Sequence, residues 1–211
     1  MTGRLRGRRL PLIVLVAAVA ALIASVVWVA GGGSPSWGPG PRAMTGAVSR
    51  AGPVHDMADA DRAAGRFAHR WGLHVGETMQ FSNGYYAELL APDGSRATEV
   101  LVDPRTGAVQ PEFGPAMMWN TAYGMMSARS RPGTVAIGPA QAVRIADRWL
   151  GEHRRALHAA EPERFPGYYT LHTLRDGHVV GMLSVNATTG TVWYHTWHGR
   201  FLRMQEHPGG A

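Results

Sequence analysis

The chain of 211 residues contains no cysteine and no lysine. Without cysteine there is no disulfide framework, no thiolate metal site and no lipidated cysteine. Without lysine, all 21 basic residues are arginine, which fits a G+C-rich coding sequence better than a binding task. Concentrated charge is also scarce. The pI near 10.4 suggests nucleic acid, but Arg4, Arg6, Arg8 and Arg9 lie in the first ten residues. Subtracting them leaves 17 arginines against 15 acidic residues, a net charge of +2 for the rest. Duplex binding needs a basic stripe that releases counterions, and none is present, so nucleic acid is excluded as a partner. Catalytic signatures are missing too: there is no Gly-x-Ser-x-Gly elbow, zinc-binding His-Glu-x-x-His, phosphate loop or dinucleotide fingerprint. Ser82 and Ser184 are present along with histidines and aspartates, but no spacing fixes their geometry. The chain reads as a non-enzyme.

What the chain does have is one long apolar run. Residues 12–30 read LIVLVAAVAALIASVVWVA, without a charge or a proline. At 1.5 Å per residue such a run roughly spans a hydrocarbon core of about 30 Å. The arginine-rich segment 1–11 should stay cytoplasmic by the positive-inside rule. Trp28 sits where an interfacial aromatic is expected. The run exceeds the usual apolar region of a cleaved signal peptide. A single-pass signal anchor in the cell membrane is therefore expected, with everything beyond residue 31 outside the cytoplasm. Residues 31–55, rich in Gly, Pro and Ser, read as a flexible tether.

The body of the chain is a repeat. GYYAELLAPDGSRATEVLVDPRTGAVQ begins at Gly84 and GYYTLHTLRDGHVVGMLSVNATTGTVW at Gly167, aligned without a gap at an offset of 83. Upstream, residues 66–71 match residues 144–149 at an offset of 78. Such self-similarity marks a duplicated supersecondary unit. Met57, Ala60, Ala64, Phe67, Ala68 and Trp71 give one apolar helical face, with Asp56 or Asp59 as N-cap and Gly72 as the stop. Pro139 opens the second helix, whose stripe is Ala142, Ile145, Ala146, Trp149 and Leu150. After each helix, a strand over residues 79–90 or its counterpart meets an Asp-Gly hairpin turn at Asp93-Gly94 or Asp176-Gly177. A return strand, a Thr-Gly turn and a short third strand follow. The expected fold is α+β: two tandem units, each a helix on a three-stranded antiparallel sheet, behind one transmembrane helix. Unit 1 covers residues 56–114 and unit 2 residues 139–204. A Met-rich connector covers 115–138 and a frayed tail 205–211.

The helix, the Gly-Tyr-Tyr and Asp-Gly motifs and above all Val102-Asp103-Pro104-Arg105-Thr106-Gly107-Ala108-Val109 resemble the PepSY family, here as a tandem pair. The second copy departs from the motif by carrying Asn186 for Asp103, which keeps turn chemistry but not charge. The resemblance implies an extracytoplasmic, often membrane-attached, non-enzymatic module that regulates another envelope protein. Peptidase inhibition is a further role the family implies, although no inhibitory residue maps here.

The remaining signals are soft and aromatic side chains. Met117, Met118, Trp119 and Tyr123 in the connector, with Trp197 after the second copy, are the candidate partner-binding residues, acting with the exposed sheet faces. Met117, Met118, Met125 and Met126, with His195 and His198, form the alternative: a thioether and imidazole site for Cu(I) or Ag(I). Against it, methionine commonly fills gaps in cores. A strand continuing to residue 198 would also send His195 and His198 to opposite faces, unless it ends near Thr196. His172 is placed opposite Gly181 and on the helix-facing core side, where the first copy has Leu89. A buried imidazole there is a hydrogen-bonded core residue or a ligand. Of each tyrosine pair, Tyr85-Tyr86 and Tyr168-Tyr169, one member is expected in a core and the other on an open face or between repeats.

Overall fold

The computed structural model describes residues 52–125 and 136–207. The expected cytoplasmic segment, membrane anchor, most of the tether and Met126 lie outside the described residues. Among the described residues no helix is long and apolar enough to cross a membrane.

Helix α1 spans Met57–His69. The Asp56 carboxylate caps it by accepting the Asp59 N–H, which satisfies one of the orphan donors of the first turn. Gly72, at φ +69, lets the chain leave the helix in a left-handed conformation. The expected stripe is the buried one, with Ala63 added and without Trp71, which lies beyond the helix and is half-buried. Strands β1 (His74–Phe81), β2 (Gly84–Leu90), β3 (Arg96–Val102) and β4 (Val109–Pro111) follow. The short helix α2 is Pro115–Met118 and helix α3 is Pro139–His153. The second repeat supplies β5 (His158–Phe165), β6 (Tyr168–Arg175), β7 (His178–Asn186) and β8 (Val192–Tyr194), and β9 (Phe201–Glu206) closes the chain.

The class is α+β with antiparallel sheets, as expected, but each repeat has four strands rather than three. The strand expected over residues 79–90 is broken at Ser82-Asn83, so that Phe81 pairs with Gly84. Pro166-Gly167 makes the corresponding turn, with Phe165 opposite Tyr168. The two sheets have the orders β4-β3-β2-β1-β9 and β5-β6-β7-β8. The last strand leaves its own repeat and pairs with β1, Met79 against Met204. The tail expected from residue 205 therefore begins inside a strand.

Turn chemistry sets a difference between the repeats. Asp176 (φ +50) and Gly177 (φ +79) form the expected two-residue turn, with Arg175 opposite His178. The first hairpin is longer. Pro92 presets a turn, Gly94 takes φ +82, and Ala91 N–H bonds Ser95 O at 2.8 Å around a three-residue loop. That extra residue shifts the true correspondence. Gly84 matches Tyr168 and Tyr85 matches Tyr169 in strand pairing, whereas Val102 still matches Val185. The ungapped sequence alignment is one residue out along β2, and one residue inverts every side chain.

Two corrections follow. Tyr169, Leu171, Leu183 and Val185 pack under α3, while Tyr168, Thr170 and His172 point the other way. A bulge near Val180 also places His172 opposite Met182 rather than Gly181. His172 is buried, its side chain 12% exposed, but it corresponds to Glu88 and not to Leu89.

The second correction concerns the sheet faces expected to be open. Helix α1 covers one face of the first sheet, packing Phe67 and Ala64 on Tyr85, Leu89, Val100 and Val109. Helix α3 covers one face of the second. The remaining two faces pack on each other, with Met79, Phe81, Tyr86 and Met182 in contact between them. The layers run helix, sheet, sheet, helix. Full burial of each such large side chain contributes about 1.5–3 kcal/mol. Each tyrosine pair is divided between layers: Tyr85 and Tyr169 lie under helices, Tyr86 and Tyr168 between sheets.

Candidate functional site

The seam between the sheets is unusually polar. Glu77, Glu88, Glu99, Glu112, Thr170, Ser184 and His195 are all buried, a placement that costs free energy unless each group is paired. Glu99, on β3, sits at its centre. It accepts hydrogen bonds from Tyr86 Oη (2.9 Å), Tyr168 Oη (2.6 Å) and Thr170 Oγ1 (2.8 Å). Burial first and the nearby Glu112 charge second push Glu99 well above the ordinary carboxylate range, against the pull of these three hydroxyls. It is a buried carboxyl held in a cage of three hydroxyls.

From Glu99 a continuous polar chain runs to one end of the seam. Thr170 Oγ1 lies 2.9 Å from Ser184 Oγ, which lies 2.9 Å from His195 Nε2. The other ring nitrogen, Nδ1, is 3.2 Å from Glu112 Oε1. His198 Nε2 reaches the same oxygen at 2.7 Å and Trp197 Nε1–H donates to it at 3.1 Å. Burial alone would raise Glu112. The charge and hydrogen bonds of His195, followed by those of His198, outweigh it and hold the carboxyl down to about 2. Aromatic rings wall the group: Trp197 stacks on His195 at 4.6 Å and Phe81 on His198 at 4.2 Å.

The convergence of the two histidines depends on where β8 stops. The strand ends at Tyr194, and the turn that follows brings His198 back beside His195, their rings 5.6 Å apart. The partner they meet is a carboxylate. No described contact brings Met117, Met118 or Met125 to either imidazole. Met118 and Met125 are half-exposed.

Ser184, His195 and Glu112 stand in the order of a hydroxyl, base and carboxylate. Ser184 is fully buried, shares its hydroxyl with Thr170, and lines neither described cavity beside His198.

The connector forms a rim over this end of the seam. Asn120 anchors it, donating to Ala97 O at 2.8 Å and accepting the N–H groups of Ala122 and Tyr123. Trp119 meets Trp193 edge-on at 5.5 Å and packs on Phe165 and Tyr168. Trp193 meets Trp197 at 6.3 Å, and Met125 N–H bonds Met117 O. Phe113, Met118, Met125 and Trp193 are 47, 51, 50 and 38% exposed. Of the expected partner-binding residues, Met118 is the open one. Met117 is half-buried, Trp119 and Tyr123 pack inward, and Trp197 holds Glu112.

At the opposite end Arg96 bridges Glu88 (2.7 Å) and Glu163 (3.1 Å), and His172 Nε2 faces Glu77 at 3.3 Å. Burial and then the charge of Glu163 raise Glu88 to about 7 despite Arg96. The His172 ring is lowered by burial but raised further by Glu77, with a net upward shift.

Sequence reasoning missed Glu77, Glu99 and Glu112, because a glutamate in a strand reads as a solvent-facing residue. One signal was available: Glu112 and His195 are equivalent at the repeat offset of 83, so duplication alone sets them at matching ends of their sheets. Neither a protein-family model nor a curated protein matches the chain. Among solved structures the chain is similar to the Bacillus megaterium YpeB C-terminal domain, at 14% identity and a TM-score of 0.26. The match covers 67% of this chain and 62% of that one, less than two thirds of its length.

Proposed function

We propose that this chain is a membrane-anchored, extracytoplasmic module of the PepSY type that binds and regulates another envelope protein, docking it on the rim above the seam. The observation that carries this reading is the exposure of Phe113, Met118, Met125 and Trp193 around α2 and the end of β8. Four of the five large hydrophobic side chains exposed among the described residues gather there. Isolated apolar residues on a surface need no explanation, but a cluster of aromatic and methionine side chains does. The sheet faces cannot serve, because each is covered by a helix or by the other sheet. The apolar run over residues 12–30 and the arginines before it support the anchored, outward-facing topology.

Photocross-linking in intact envelopes tests the proposal. A photoreactive residue at Phe113 or Met118 should give a discrete heterologous adduct, and one at Arg66, exposed on α1, should give none. Met118→Asp should weaken capture with unchanged unfolding. Adducts that are absent at the rim, or as strong at Arg66, would remove the reading.

A further inference from the structure

We propose that Glu112, His195 and His198 bind one divalent transition-metal cation of borderline softness, of the Zn(II), Co(II), Ni(II) or Cu(II) class. The site is separate from the rim's role in docking and stands on its own geometry. One donor atom from each residue falls within 4.8 Å of the others. Four-coordinate zinc with ligands at about 2.0–2.2 Å needs donors roughly 3.3–3.6 Å apart. The observed separations of 2.7 and 3.2 Å from Glu112 Oε1 to the two imidazoles are both shorter than that spacing, so an ion is admitted when the carboxylate swings away from His198.

Glu112 Oε2 is buried without a hydrogen-bond partner, and His195 Nδ1 faces Glu112 Oε1 at 3.2 Å outside good hydrogen-bond geometry. Orphaned buried polar atoms are rare in folded proteins, and a bound ion is one way to satisfy them. The outer contacts are those of a ligand shell. When Ser184 Oγ takes the His195 Nε2–H, Nδ1 presents its lone pair toward Glu112, as ligating histidines are commonly oriented by a second partner. Ser184 is itself fixed by Thr170. Trp197 steadies the carboxylate through its indole N–H, and the stacked rings of Trp197 and Phe81 hold both imidazoles against rotation.

The donor set selects the metal class. Two imidazoles and one carboxylate suit borderline divalent ions. Cu(I) and Ag(I) prefer sulfur, while Mg(II) and Ca(II) prefer all-oxygen shells. His195 and His198 both line a cavity of about 300 Å³, the side from which a cation would enter. Solvent or an exogenous ligand can fill the remaining coordination position from that side. Glu112 follows β4 of the first repeat, and the histidines follow β8 of the second. The cation would therefore tie the two sheets together at one end of the seam.

The test uses the full chain in detergent micelles, stripped with a chelator and titrated with Zn(II) and Co(II) against a chromophoric competitor. Expected results are one tight equivalent, Co(II) d–d bands of four-coordinate intensity, and a zinc-dependent rise in unfolding temperature. Glu112→Gln and His198→Gln, which keep size and hydrogen-bonding capacity, should each weaken binding roughly 100-fold or more while still unfolding cooperatively. His74→Gln, at an exposed histidine, should change nothing. Binding that survives His198→Gln would be adventitious uptake by surface histidines and would overturn the site. Uptake of Cu(I) but not of Zn(II), lost on substituting Met117, Met118, Met125 and Met126, would overturn it in favour of a thioether site.

Discussion

Glu112 and His195 are the same position in two copies of one repeat, and they meet, Oε1 3.2 Å from Nδ1. Packing the two sheets through their helix-free faces brings equivalent strand ends together. A duplicated unit thus produces a junction where two matching positions can diverge, here into a base and an acid. The polar chain through Ser184 and Thr170 to Glu99 extends that junction along the seam.

The hydroxyl cage around Glu99 makes a sharp prediction. Burial pushes the Glu99 pKa upward and so favours its uncharged form, so Glu99→Gln should cost less than about 1 kcal/mol, the Tyr168 hydroxyl turning to accept from the amide. Glu99→Ala should cost about 3 kcal/mol or more, leaving Tyr86, Tyr168 and Thr170 unpaired beside a cavity. Urea unfolding of both variants separates the two cases.

Stability should fall as pH rises from about 4.5 through 7. Glu88 has its folded-state pKa raised, so it binds more protons folded than unfolded in that window, and its contribution is lost as it ionises. The shift corresponds to about 3 kcal/mol as an order of magnitude. Glu88→Gln should flatten this part of the pH profile. Denaturant midpoints of the two proteins across the range provide the measurement.

Two glycines should respond in opposite senses to alanine. Gly167 has φ +91, and a Cβ there would stand 2.3 Å from the Trp119 carbonyl oxygen. Gly167→Ala should destabilise by more than about 2 kcal/mol. Gly65, inside α1, has nothing within 4 Å of a built Cβ, and Gly65→Ala should stabilise by about 0.5–1 kcal/mol. Thermal melts in parallel decide both.

Strand β9 protects an edge. Ending the chain after Arg200 would strip the antiparallel partner from Thr78, Met79 and Gln80 and leave β1 as an open template. The truncated protein should lose stability and self-associate in a concentration-dependent way, read by sedimentation or light scattering.

The two long helices were legible in the sequence, whereas the short helix Pro115–Met118 was not. Their apolar spacing, the Asp56 cap, Pro139 and Gly72 are local signals, and local hydrogen bonding and propensity suffice to set such elements. The Asp103 and Asn186 turns were legible for the same reason: each side chain accepts backbone N–H groups two and three residues on. The β2 register was not. An added loop residue at Pro92 left the two motifs aligned by eye while shifting the strand by one, and a period of two turns that shift into a reversal of faces. This is why sequence spacing puts His172 on the helix side of its sheet, whereas it faces Glu77 of the other sheet.

The sequence by itself determined the duplication, the helix faces, the turns and the lack of cysteine chemistry. Only the tertiary structure decided that the two sheets cover each other, that β9 crosses to β1, and that Glu112 joins His195 and His198. Those outcomes depend on which surfaces are left unburied once each helix has covered its own sheet. That is a relation between elements far apart in the chain, and no local pattern encodes it.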